Sequence, residues 1–152
     1  MAVMRILVLL LCAVMAAVQP PGGADCSRSP DNALYRQKTC GREWTRINSC
    51  LEADWTEHDL GRMQLGETRE CDLHLKNVSD STMHISYLAP GCRCIKLSCH
   101  VDAIRPAETA TVHIEYDSSG HSPGHTEQSM ILCLEGHDSP IYFILKADLC
   151  DH

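Results

Sequence analysis

The fold this sequence predicts is an all-β sandwich of seven or eight antiparallel strands, preceded by a short cysteine-bearing extension. Three observations predict it. From Cys50 onward, short segments in which apolar and polar residues alternate are separated by turn residues, the pattern of a sandwich or barrel. No segment in that region sustains a helical repeat. The chain of 152 residues falls in the single-domain range, so one core is expected.

Residues 1–24 stand apart. A lone Arg5, an apolar run from Ile6 to Val18 and the breakers Gln19-Pro20-Pro21-Gly22-Gly23 have the layout of a secretory signal peptide. The apolar run is shorter than the roughly 20 residues a spanning helix needs, so no stable membrane anchor is expected after cleavage. Twelve basic residues then face twenty acidic ones with no basic cluster, which argues against nucleic acid as a partner. Ten cysteines, nine of them beyond the leading segment, fit an extracytoplasmic, oxidising location. Nine is odd, so at least one thiol is free, bonded to another chain or bound to a metal.

Residues 25–50 form the extension. It carries Cys26 and Cys40, with Pro30, Asn32 and Gly41 as breakers, and Asp31 could cap a short helix to Lys38. The domain proper is expected over residues 51–150. Its first strand runs from Leu51 to Trp55 and continues from Leu60 to Leu65, and Gly66-Glu67 makes a turn. The next strand, from Glu67 to Lys76, sets Cys71, Leu73 and Leu75 against Glu70, Asp72 and His74. Asn77 to Ser81 is expected as a hairpin loop, and its Asn77-Val78-Ser79 is a glycosylation acceptor in a eukaryotic source. Thr82 to Leu88 places Met83, Ile85 and Tyr87 on one face. Ile95, Leu97, Cys99 and Val101 keep period two. Ile104 to Glu108 is a turn preset by Pro106. Thr109 to Tyr116 points Ala110, Val112, Ile114 and Tyr116 inward, and two strands around Gly136-His137-Asp138 close the domain.

The motifs Glu57-His58-Asp59-Leu60-Gly61, Leu65-Gly66-Glu67, Leu75-Lys76-Asn77-Val78-Ser79, Gly91-Cys92-Arg93-Cys94, the turn Ile104 to Glu108, Glu115-Tyr116-Asp117, Gly120 and Gly124 occur in an order that resembles a bacterial secreted family, domain of unknown function 1573. The resemblance spans about Leu51 to Leu149. It implies an immunoglobulin-like sandwich related to Hydin and major-sperm-protein type modules, an extracytoplasmic place and no established activity. Leu60 stands where the family tends to an aromatic, and Gly91-Cys92-Arg93-Cys94 where it tends to Cys-Gly-Cys-Thr.

Candidate chemistry centres on Ser86 to His100. Cys92 and Cys94 in an extended strand lie roughly 6 to 7 Å apart, whereas a disulfide wants its β-carbons at about 3.5 to 4.5 Å. A bond between them therefore needs a bent loop, which Pro90 and Gly91 supply, and would make a labile redox pair. The alternative is copper or zinc held by Cys92 and Cys94 with Cys99 or His100. The third reading, and the one secretion favours, bonds each of these cysteines elsewhere in a structural disulfide framework. Cys71 and Cys133 suit an inter-sheet bond in an immunoglobulin-like sandwich, with two buried thiols as the alternative. Cys26, Cys40, Cys50 and Cys150 are candidates to tie the extension to the domain.

His74, His84, His100, His113, His121 and His125 are surface histidines that could take copper or zinc, but solvated faces are the account the sequence favours. Gly120-His121-Ser122-Pro123-Gly124 matches a nucleophile elbow, yet that chemistry needs a strand-to-helix turn in a parallel sheet. No catalytic residue and no resident cofactor are expected. The function expected is a noncatalytic binding or structural module that meets an unknown protein partner along a sheet edge or through loops.

Overall fold

The structure, a computed structural model, describes residues 42–151. The leading segment, most of the extension and the helix expected from Asp31 lie outside those residues. Ten strands are present among the described residues: β1 Thr45–Arg46, β2 Leu51–Ala53, β3 Glu57–Gln64, β4 Thr68–Asn77, β5 Met83–Pro90, β6 Ile95–Cys99, β7 Ala103–Ile104, β8 Thr109–Asp117, β9 Gly124–Leu134 and β10 Ile141–Cys150. They make two five-stranded sheets, ordered β1-β2-β4-β8-β6 and β3-β10-β9-β5-β7. The count exceeds seven or eight because the two-residue strands β1 and β7 flank the longer ones.

Alternation dictates which residues face inward. On β4 and β8 the buried residues are Leu73 and Leu75, then Ala110, Val112, Ile114 and Tyr116. On β9 and β10 they are Met130, Leu132 and Leu134, then Phe143, Leu145, Ala147 and Leu149. These form one apolar cluster between the sheets, the arrangement that two sheets with one greasy face each must adopt.

Three local features depart from the expected pattern. Leu51 to Ala53 and Glu57 to Gln64 are not one continued strand, because the chain crosses between sheets after Ala53. β3 then lies parallel to β10, so the second sheet is not wholly antiparallel. A bulge in β3 sets Leu60 and Gly61 opposite Ala147; Gly61 takes φ 72°, which a residue with a Cβ resists. On β5 the register shifts between Ile85 and Tyr87. That bulge turns Tyr87 out of the sandwich, where it is 56% exposed, against the expectation that it shares a face with Met83 and Ile85.

Asn77 to Ser81 is a crossover between sheets rather than a hairpin, since β4 and β5 belong to different sheets. Asn77 is fully buried at its base. Its Nδ2 donates to Ser81 O at 2.7 Å and to Ile104 O at 2.8 Å, and its Oδ1 accepts from Ser79 N at 2.9 Å. The folded domain therefore has no room for a glycan on that nitrogen. At the other end of the sandwich, the backbone N–H of buried Ser118 donates to Glu67 O at 3.0 Å. Replacing Asn77 with Ala strips two carbonyls of their donors in a buried site. Urea unfolding should show Asn77→Ala destabilised by about 2 to 4 kcal/mol, with an unchanged slope against denaturant.

Candidate functional site

The loop between β5 and β6 is bent as the Cys-X-Cys spacing requires. Cys92 and Cys94 are disulfide-bonded, with their Cα atoms 5.3 Å apart. Both ends of the loop are anchored by backbone hydrogen bonds. Gly91 N donates to Ser129 O at 2.7 Å, and Asp117 N donates to Cys94 O at 2.8 Å. A Cβ on Gly91 would stand 2.7 Å from Ser129 Oγ and 2.8 Å from Ser129 O, so only glycine fits. Cys92 and Cys94 are partly buried and rest against the core, while Arg93 between them is exposed.

The copper or zinc reading of the loop requires Cys92 and Cys94 as reduced thiolates. The two sulfurs are joined to each other, so neither is a thiolate ligand. Cys99 closes the far end of β6, roughly 16 Å along an extended strand from Cys94, and its Sγ donates to Val101 O at 3.3 Å. The His100 ring lies 6.1 Å from the His113 ring. Among the described residues, no group of three or more His, Cys, Asp or Glu side chains is placed to hold a metal ion.

The bond expected between Cys71 and Cys133 is absent; both are free thiols. Parity explains it. Cys71 shares the inward face of Leu73, whereas the inward residues of β9 are Met130, Leu132 and Leu134, leaving Cys133 on the outer face opposite Tyr87. Burial, with Asp72 and Asp54 nearby, pushes the Cys71 thiol up to about 12. Cys50 is also free: its Sγ lies 3.1 Å from Asn48 Oδ1 and 3.3 Å from His137 Nε2. Cys150 is disulfide-bonded. Cys26 and Cys40 lie outside the described residues.

Three of the surface histidines meet carboxylates. His74 Nδ1 is 2.7 Å from Asp54, His113 Nδ1 is 2.6 Å from Asp72, and His125 Nδ1 is 2.8 Å from Asp148. Hydrogen bonding to Asp148 and Glu127 holds His125 above its ordinary value. Burial holds His58 below its own, against the pull of Asp54 and Asp59. A shallow depression of about 250 Å³ over the outer face of β4, β8 and β6 is lined by Glu70, Asp72, Lys96, Ser98, His113 and Glu115. Four of its charged groups are paired, Lys96 with Glu115 at 2.5 Å and His113 with Asp72. Ser122 lies exposed in a crossover from β8 to β9, with no helix behind it.

What the sequence did not disclose is one flank of the sandwich. β6 ends the first sheet, and β7 pairs with only Met83 and His84 of β5, with Ile85 N donating to Asp102 O at 2.7 Å, so β5 from Ser86 onward borders the second sheet. The Cys92–Cys94 loop joins these two borders. Ile85, Leu88, Cys92, Cys94, Leu97 and Cys99 all touch the core yet stay partly exposed along this flank, and Tyr87 and Val101 stand beyond them at 56% and 44% exposure. Period-two alternation marks such residues as inward but carries no information about which strand ends a sheet.

A family model described as "Protein of unknown function (DUF1573)" matches residues 51–149. No curated protein matches the sequence significantly. Among solved structures, a protein of unknown function from Porphyromonas gingivalis W83 superposes with a TM-score of 0.56 at 15% identity, over 66% of this chain and 46% of that one. The VesB protease of Vibrio cholerae gives 0.52 at 13% identity, over 66% and 32%. The ASH / PapD-like domain 7 of human CEP192 gives 0.51 at 15% identity, over 88% and 99%. The chain thus spans about half of the first of these and a third of the second. At such identities the likeness establishes the immunoglobulin-like sandwich alone.

Two measurements check the electrostatics and thiol placement. Alkylation of the native protein at about pH 8 should spare Cys71, which reacts only after unfolding, because its thiolate is scarce at that pH. In an NMR titration His58 should have its midpoint below about 6.5 and His125 above it. The fold disfavours charge on His58, so its share of stability is complete above the unfolded value and shrinks on acidification. The His125 share has the opposite sign and is lost as pH rises through its folded value. His58→Gln should accordingly flatten the loss of stability between about pH 7 and pH 5.

Proposed function

The chain belongs to the DUF1573 family, and from that premise we propose that it is a noncatalytic, extracytoplasmic binding module that takes an extended segment of a partner protein along β6. The carrying observation is the open flank: a terminal strand whose core-directed side chains, Leu97 and Cys99, remain partly exposed beside Ile85 and Leu88 of the facing sheet. An added strand would pair its backbone with β6 and send alternate side chains between the two borders. Main-chain bonds then supply affinity and the slot supplies selection.

Two further features support this reading. The other border of the first sheet, β1, has only two residues, too few for a useful template. β6 carries Lys96, whose side chain is 73% exposed; a lysine on a terminal strand discourages pairing between identical copies while leaving the backbone available to a partner. The extracytoplasmic placement rests on the leading apolar segment and the cysteine content. The noncatalytic reading rests on the Lys96–Glu115 and His113–Asp72 pairs in the depression over β4, β8 and β6.

The test is a peptide titration followed by amide NMR. A ten-residue peptide alternating Val and Ser should shift the amides of Ile95 to Cys99 and Tyr87 to Pro90, leaving β3 unmoved. Leu97→Glu, with Lys96→Ala as a milder second variant at the same border, should show that the site is β6: the first weakens binding at least about tenfold, ~1.4 kcal/mol, and the second leaves it within a few fold. Shifts confined to β3 or to the loops would refute the assignment.

A further inference from the structure

We propose that the Cys92–Cys94 bond is an exchangeable disulfide that oxidises a pair of cysteines on the segment docked along β6. This rests on the docking reading above and adds a chemistry to it. Cys94 immediately precedes Ile95, the first residue of β6, so a strand laid against β6 runs past the disulfide at its end. The ligand class that fits is an extended peptide with two thiols near the terminus that reaches the loop.

The loop is built to open without disturbing the fold. Its ends are held by the bonds from Gly91 N to Ser129 O and from Asp117 N to Cys94 O, neither of which involves sulfur. A covalent ring closed over a sequence separation of 2 restrains the unfolded chain far less than a long loop would. Its two sulfurs therefore contribute little as a structural staple. Both cysteines are partly exposed, and the residue between them is Arg93, an exposed cation that favours a departing thiolate. The four free thiols described, Cys50, Cys71, Cys99 and Cys133, sit on strands or at their ends; only this pair occupies a loop at a sheet border.

The exchange balances. A partner thiolate attacks one sulfur of the Cys92–Cys94 bond; that bond breaks, a mixed disulfide forms, and the other cysteine leaves as a thiolate that takes up a proton. The partner's second thiolate attacks the partner-side sulfur of the mixed disulfide, releasing the remaining cysteine, which is protonated in turn. The partner has lost two electrons and two protons and holds a new disulfide, and Cys92 and Cys94 are a dithiol. A small-molecule disulfide of the oxidised glutathione class restores the starting bond.

The test uses the purified full chain with its disulfides formed, and two probes. In graded glutathione buffers, acid quenching and maleimide trapping should show both Cys92 and Cys94 becoming free together while circular dichroism stays native and Cys150 stays bonded. Cys94→Ser should accumulate a mixed disulfide with glutathione at Cys92, or Cys92→Ser one at Cys94. The second probe is a reduced two-cysteine peptide with the alternating apolar pattern. It should be oxidised at least about tenfold faster than its scrambled counterpart, by virtue of raised local concentration, and Leu97→Glu should remove that advantage. A bond that opens only on unfolding, with neither variant trapping glutathione, overturns the redox inference and leaves docking on β6 standing. Exchange with glutathione but equal rates for the two peptides overturns the docked substrate and the docking reading together.

Discussion

Everything in this domain depends on two sheets burying one apolar face each against the other. The inward rows are contributed by strands far apart in sequence, with Leu73 and Leu75 on β4, Val112, Ile114 and Tyr116 on β8, Met130 and Leu132 on β9, and Phe143 and Leu145 on β10, all essentially inaccessible to water. Each such side chain contributes about 1.5 to 3 kcal/mol, so two of them match the ~2 to 4 kcal/mol of a disulfide closing a long loop. Sulfur is therefore not what holds the described core together. Cys71 illustrates the point: it lies where an inter-sheet bond could be imagined, yet it serves as a small hydrophobe, its thiol held neutral by burial.

Facing sheets need crossings, and the crossings are where buried polar groups must be satisfied. Asn77 sits at one end of the sandwich and Ser118 at the other, the two fully buried polar residues among those described. Each replaces missing ladder bonds with side-chain or backbone bonds to carbonyls of neighbouring strands. A hydrophobic residue at either place would leave carbonyls unpaired in a dry site, which costs more than the added burial returns.

Much of this was legible in the residues. The alternation of β8 dictated its inward row, and Gly66-Glu67 and the Ile104 to Glu108 turn stand where they were expected. Tyr87 and Cys133 were not legible, for related reasons. A one-residue bulge reverses parity beyond it, and nothing in Ile85-Ser86-Tyr87 announces a bulge. The face of Cys133 depends on the register of β9 against both neighbours, a long-range property. The crossing after Ala53 was missed because Leu51 to Leu65 alternates almost continuously, and period two is blind to a change of sheet. Spacing alone showed that a Cys92–Cys94 bond would need a bent loop, since two same-face cysteines cannot bond in straight chain; that the two bond to each other rather than elsewhere in a framework was not legible.

The order of strands gives the loop its significance. Had β7 been as long as β5, the second sheet would end in a covered border and the slot beside Leu88 would close. Had the crossing from β5 to β6 been long, the two borders would not be tied at a common end. Instead a three-residue ring joins them, with its ends fixed by Ser129 and Asp117 on the interior strand of each sheet, β9 and β8. Those anchors are backbone hydrogen bonds that involve no sulfur atom. A flank shaped this way holds its backbone donors and half-covered side chains at a fixed spacing, so the partner strand proposed above would meet a preorganised site. Little ordering cost would then fall on the domain itself, and affinity would come from the segment that binds.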